Sequence, residues 1–122
     1  MAGKSHVTVK GLDELARKLE ALPGIIERAA RRAVADETEE TAQDMRREAP
    51  EDTGHLKQGI QVEISKGGLV GRAVSTAPYT TYVIHGTSTH EPHDFIEPAG
   101  NRARRRFPAR VEQYVKEELR RV

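Results

Sequence analysis

The chain contains no cysteine and no tryptophan in its 122 residues. The missing cysteine excludes disulfide staples, zinc–thiolate sites and cysteine nucleophiles. Two Phe and three Tyr are the whole aromatic supply, so the large apolar side chains have to be shared out sparingly. No apolar run approaches the roughly 20 residues needed to span a bilayer, and no membrane association is expected. The first residues, Met1 to His6, lack the apolar stretch of a secretory signal, so the protein is expected to be made and kept in the cytosol. Catalytic patterns are also lacking. No Ser-His-Asp order, glycine-rich phosphate loop or pair of catalytic carboxylates stands out, and neither enzymatic activity nor a cofactor is expected.

Charge is what the chain has in abundance. Charged residues make up 32% of it, yet the formal net charge is only +1. The balance is uneven. Residues 1–50 carry −1 and residues 51–95 carry −2, whereas residues 96–122 carry +4. The basic character therefore lies at the C-terminus. The length suits one domain over residues 1–122. A chain of this size can bury roughly two-thirds of its unfolded surface. With hydrophobic residues at 36%, that core is not rich, and such a domain often gains stability from neighbouring subunits.

Hydrophobic periodicity gives a coarse layout. Val7 and Val9 alternate with polar neighbours and predict a short strand over residues 5–10. Gly11 breaks it. Leu12, Leu15, Leu19 and Leu22 form one stripe of a short N-terminal helix, with Asp13 and Glu14 in its first turn. Pro23 suits the first turn of a second, long helix that runs to about Glu48 and would be about 37 Å long. Ala49 precedes Pro50 and is pushed out of helical geometry. One face of the long helix carries Ile26, Ala30, Ala33, Val34, Thr38, Thr41, Ala42 and Met45. The other carries Arg28, Arg32, Asp36, Glu39, Glu40, Gln43 and Arg47. Arg32 and Asp36 can pair across one turn for a few tenths of a kcal/mol. This charged face is either solvated or a subunit contact.

Residues 60–64 alternate with period two, Lys66-Gly67-Gly68 supplies a turn, and residues 69–75 return as a second strand. Residues 79–85 read as a third apolar strand ended by Gly86. Residues 87–94 read as an exposed loop, and a C-terminal helix follows Pro98, with Phe107-Pro108 expected to kink or split it near Arg106. Val111, Tyr114, Val115 and Leu119 form its last apolar stripe. The fold class is α+β: a small antiparallel sheet of three to four strands on a long helix, with a short N-terminal and a C-terminal helix.

Three constellations invite chemistry. His85, His90 and His93, with Glu91 and Asp94, have ligand types that suit zinc or manganese. Their spacing lies across Pro92 and fits a polar loop better. Glu51, Asp52 and His55 resemble a nuclease-like cluster, but Asp52-Thr53-Gly54 equally makes a turn and a helix cap, which is the preferred reading. Arg102, Arg104, Arg105, Arg106 and Arg110 spread over most of a helix circumference. They serve a partner subunit, solvent, or phosphates bound without sequence preference. The last option makes a small DNA-binding protein the alternative function.

Two segments carry a resemblance. The first is Ala49-Pro50, Thr53-Gly54, Leu56 and Ile60. The second is Tyr79, Tyr82, Gly86-Thr87, Phe95 and Pro98-Ala99. With the opening Val9-Lys10-Gly11-Leu12, their order and spacing resemble the gene-product-ten family of tailed phages, which are head–tail joining or tail-completion proteins. The family often has a glutamate where this chain has Ile84, and a proline where it has Asp94. The resemblance implies a non-enzymatic virion protein at the neck of a long-tailed double-stranded-DNA phage or prophage, assembled in the host cytoplasm. It implies a homo-oligomeric, six-fold ring whose partners are stopper, tail-terminator and tail-tube proteins, with non-specific contact to packaged DNA in reach. Ring closure needs two different complementary faces on each subunit. Candidate contact residues are Arg28, Arg32, Glu39, Glu40, Thr87, His90, Glu91, His93, Arg102, Arg105, Arg106 and Arg110. Pro50, Thr53, Gly54, Leu56, Tyr82, Gly86, Thr87, Phe95 and Pro98 are expected to be architectural.

Overall fold

A computed structural model describes residues 11–50, 55–65, 67–88 and 91–122. Its elements in chain order are α1 (Leu12–Glu48), α2 (His55–Gln58), β1 (Ile60–Ile64), β2 (Gly71–Ser75), α3 (Thr80–His85) and α4 (Glu97–Leu119).

The expected short and long helices are one. α1 runs unbroken for 37 residues with Pro23 inside it, about 55 Å at the usual rise. Leu12, Leu15, Leu19, Leu22 and Ile26 keep one three-and-four-residue register across Pro23, so a single helical phase serves both halves. The proline removes one backbone hydrogen bond at an exposed position, where water can replace it. α1 ends as expected before Pro50. Ala49 is extended (φ −64, ψ 140) and donates its N–H to the Met45 carbonyl at 2.8 Å. Its buried stripe includes Ile25 at 0% exposure rather than Ile26, which is 47% exposed.

The hairpin forms where expected, except that its second strand starts at Gly71 rather than at residue 69, with Leu69 and Val70 exposed before it. β1 and β2 are antiparallel, with Ile60 opposite Ser75 and Ile64 opposite Gly71. Gly71 is where the hairpin presses on α1: a Cβ there would stand 1.9 Å from Thr38 Oγ1. The sheet has two strands among the described residues, not three to four. The strand expected over residues 5–10 lies outside the described residues. The one expected over residues 79–85 is α3. Its β-branched and aromatic content favours a strand, but Tyr79, Val83 and Ile84 fall on one helical side and pack on the core, leaving Thr81, Tyr82 and His85 exposed. Thr80 starts the turn through its N–H and hydroxyl, both donating to the Ala77 carbonyl. Gly86 (φ +80) stops it, donating its N–H to the Tyr82 carbonyl.

α4 also continues through its proline, Pro108. Asp94 Oδ1 accepts the N–H groups of Ile96 (2.9 Å) and Glu97 (3.0 Å), which helps satisfy the helix start. The core has two parts. Ala42, Met45, Ala49, Leu56, Ile60, Phe95 and Ala99 are buried where the end of α1, the hairpin and the start of α4 meet. Ala29 and Ala33 of α1 are covered by Tyr114 of α4, with Phe107, Val111 and Val115 beside them. The family-like motif residues Leu56, Phe95 and Ala99 are thus core side chains, each at most 2% exposed. Thr53 and Gly54 lie outside the described residues.

Candidate functional site: the charged seam and the open apolar faces

α4 packs antiparallel along α1, and the register is written in charge. α1 presents Glu37, Glu40, Asp44 and Glu48 at three- and four-residue steps; α4 presents Arg102, Arg106 and Arg110 at four-residue steps. Arg106 is the centre. Its guanidinium reaches Glu37 at 2.8 Å, Asp44 at 3.2 Å and Glu40 at 3.4 Å. Arg110 pairs with Glu40, and its Nε lies 3.0 Å from Glu37 Oε2 without hydrogen-bond alignment. Arg102 pairs with Glu48 and lies 3.6 Å from Asp44. The Glu37 and Asp44 side chains are only 7% and 2% exposed. Carboxylates so buried need cationic partners.

The seam continues toward the α4 C-terminus. Tyr114 donates its hydroxyl to Asp36 Oδ2 at 2.5 Å, which raises the tyrosine's pKa, with burial adding to the shift. Arg32 lies 3.9 Å from the Tyr114 ring centroid and pairs with Glu117 at 2.5 Å. That hydrogen bond holds the Glu117 carboxyl below its ordinary value and raises Arg32. Arg28 reaches Glu118 at 3.3 Å. The expected Arg32–Asp36 pair is therefore replaced: Arg32 turns to Glu117 and Asp36 to Tyr114.

These contacts involve several of the candidate contact residues. Arg28, Arg32, Glu40, Arg102, Arg106 and Arg110 are engaged within the chain. The arginines do not all scatter: Arg102, Arg106 and Arg110 make one stripe facing α1. Arg104 and Arg105 are exposed, and Arg104 donates to Asn101 Oδ1 at 2.9 Å. Neither meets a carboxylate among the described residues. Glu39 is exposed and lies 3.7 Å from Arg46. Glu91 and Thr87 are exposed. His93 Nε2 is 2.8 Å from the Glu48 carbonyl oxygen, and its backbone N–H donates to Val83, tying the loop to α1 and α3. His90 lies outside the described residues, as do Glu51 and Asp52. No group of three or more His, Asp or Glu side chains is placed to hold a metal among the described residues.

Two apolar surfaces were missed as sites. One is the N-terminal stretch of α1, where Leu12, Leu15, Leu19 and Ile26 are 47–59% exposed. The other is a groove of about 580 Å³ over α1 between the hairpin and α4. The leucine stripe was legible in the sequence. That nothing in the chain's described part covers it was not.

The described residues thus define a helical scaffold with a charge-paired seam and open apolar faces. The family model "Bacteriophage HK97-gp10, putative tail-component" matches residues 13–86, more than half of the chain. The chain belongs to that family and is a structural component of phage tails, hence of the virion, acting with other tail proteins. Comparison with curated proteins and with solved structures gives no match.

Proposed function

We propose that the chain is a ring-forming subunit at the neck of a long-tailed double-stranded-DNA phage or prophage particle, joining or completing the tail at the head. The observation that carries this reading is the family match over α1, the hairpin and α3. The neck position rests on the resemblance of the Ala49–Ile60 and Tyr79–Ala99 segments to head–tail joining and tail-completion proteins. Copies of the chain form a six-fold ring that stacks on the tail tube, with the stopper and tail terminator as neighbours. Its role is mechanical, and no residue is assigned to catalysis.

The charge-paired seam supports this role. A helix pair locked by several ion pairs and two core clusters is a stiff element, suited to transmitting a fixed subunit geometry around a ring. The test is particle assembly without this chain. Filled heads and complete tails accumulating separately, and rejoining when the purified protein is added, is the expected result. Normal joined particles would overturn the neck assignment.

A further inference from the structure

Two apolar surfaces of the described chain lack a partner within it, and they have opposite shapes. The first is a ridge. Leu12, Leu15, Leu19, Leu22 and Ile26 follow one another in a single register along α1, over about 21 Å. The same register continues into Ala29 and Ala33, where Tyr114 covers it. α4 ends at Leu119, near Arg28, so the ridge carries on where α4 stops.

The second is the groove. Val34, Thr38 and Met45 form its floor, with Val70 on the hairpin side and Gly100 and Phe107 on the α4 side. Gly100 is the informative residue. It sits inside a helix, where glycine costs about 1 kcal/mol relative to alanine. Its φ is not positive, and a Cβ there would meet nothing within 4 Å. Gly71, by contrast, is required by its contact with Thr38. Nothing in the described subunit asks for glycine at position 100, so the space in front of it is free for an outside group. Charge agrees with shape. Arg104 lines the groove and meets no carboxylate among the described residues. Glu20 stands exposed towards one edge of the ridge and meets no cation among the described residues, while Lys18 towards the other edge is engaged by Glu14, so the pairing on offer is Glu20 of one copy with Arg104 of the next.

We infer that the α1 ridge of one copy docks in the hairpin–α4 groove of the next. The contact is heterologous: each copy offers a ridge to one neighbour and a groove to the other, which is the arrangement that closes a ring. It rests on the ring reading above and specifies the joint.

The cysteine-free chain makes the test clean. Leu19→Cys and Val70→Cys single variants are mixed under mild oxidation. The expected product is a cross-link between the two different variants, abolished when the Val70→Cys copy also carries Gly100→Leu. Gly100→Leu fills the groove at a position open in the subunit, and a thermal midpoint no lower than that of the parent certifies its fold. Cross-linking of Leu19→Cys only with itself would overturn the inference in favour of symmetric ridge pairing. A Val7→Cys/Leu19→Cys variant that closes within one chain would overturn it too, by giving the ridge to the chain's own N-terminal residues. Rings by mass with no Leu19–Val70 cross-link would overturn the joint but leave the ring standing. A chain that stays monomeric alone and with tail tubes would overturn both.

Discussion

Arg106 is the most exacting test of the seam. Replacing it with Met keeps an unbranched apolar stem and removes the guanidinium that touches Glu37, Asp44 and Glu40. Two of those carboxylates are almost fully buried. Orphaning a buried ion altogether costs roughly 3–5 kcal/mol. Here each keeps some cation: Glu37 retains Arg110 at 3.0 Å, and Asp44 retains Arg102 at 3.6 Å together with Arg47. The loss is then that of charge-assisted hydrogen bonds, about 1.5–3 kcal/mol each in such settings. Because a second cation stays beside each buried carboxylate, we count the low end once for Glu37 and once for Asp44, a total near 3 kcal/mol and a fall of roughly 10 °C in thermal midpoint for a domain of this size. Arg105→Met is the control, one residue away, exposed and without a carboxylate partner among the described residues. It should stay within about 0.5 kcal/mol of the wild type. Urea unfolding followed by circular dichroism reads both, and an unchanged m-value certifies that stability alone moved. If Arg106→Met melted with the wild type, or if Arg105→Met lost as much, the seam would not hold the two helices together.

Other outcomes follow from the same geometry. Phe95→Ala empties a site with 0% exposure at the meeting of α1, the hairpin and α4, and should cost about 3–5 kcal/mol in the same unfolding assay. Gly71→Ala should destabilise, because its Cβ would stand 1.9 Å from Thr38 Oγ1, which is held by its bond to the Val34 carbonyl, and 3.0 Å from Thr38 Cβ, whereas Gly100→Ala should stabilise by about 0.4–1 kcal/mol. Tyr114 has a folded pKa above its ordinary 10.0, so its stabilising contribution is fully present below pH 10 and is lost as pH rises through the folded value. Asp36→Ala removes the acceptor that is the leading cause of that shift and should lower the Tyr114 titration, read from its ring-carbon NMR shifts. Glu117 is the opposite case. Its carboxyl is held low by Arg32, so its contribution is present above the ordinary 4.5 and lost as pH falls through the folded value.

What could be read from the sequence was what local pattern decides. The hairpin followed from period-two alternation and a Gly-Gly turn, and the end of α1 followed from Ala49-Pro50. Two prolines misled in the same direction. Pro23 looked like a helix start and Pro108 like a break, because propensity weighs a lost hydrogen bond without weighing packing on either side. Residues 79–85 misled by composition. The spacing of Tyr79, Val83 and Ile84, with Gly86 as a stop, held the helical signal that β-branched content masked. The arginines were judged as one group, and Arg104 and Arg105 blurred the four-residue stripe of Arg102, Arg106 and Arg110. Matching that stripe to Glu37, Glu40, Asp44 and Glu48 on α1 would have paired the two helices from sequence. The groove was beyond reach, since it exists only once the hairpin and α4 are set at their distance over α1.

Native mass spectrometry of the purified chain, alone and with isolated tail tubes, tests the central claim most directly. A closed ring of six copies, formed alone or on the tube end, is the predicted result. A chain that remains monomeric in both conditions and leaves the tube bare would contradict it.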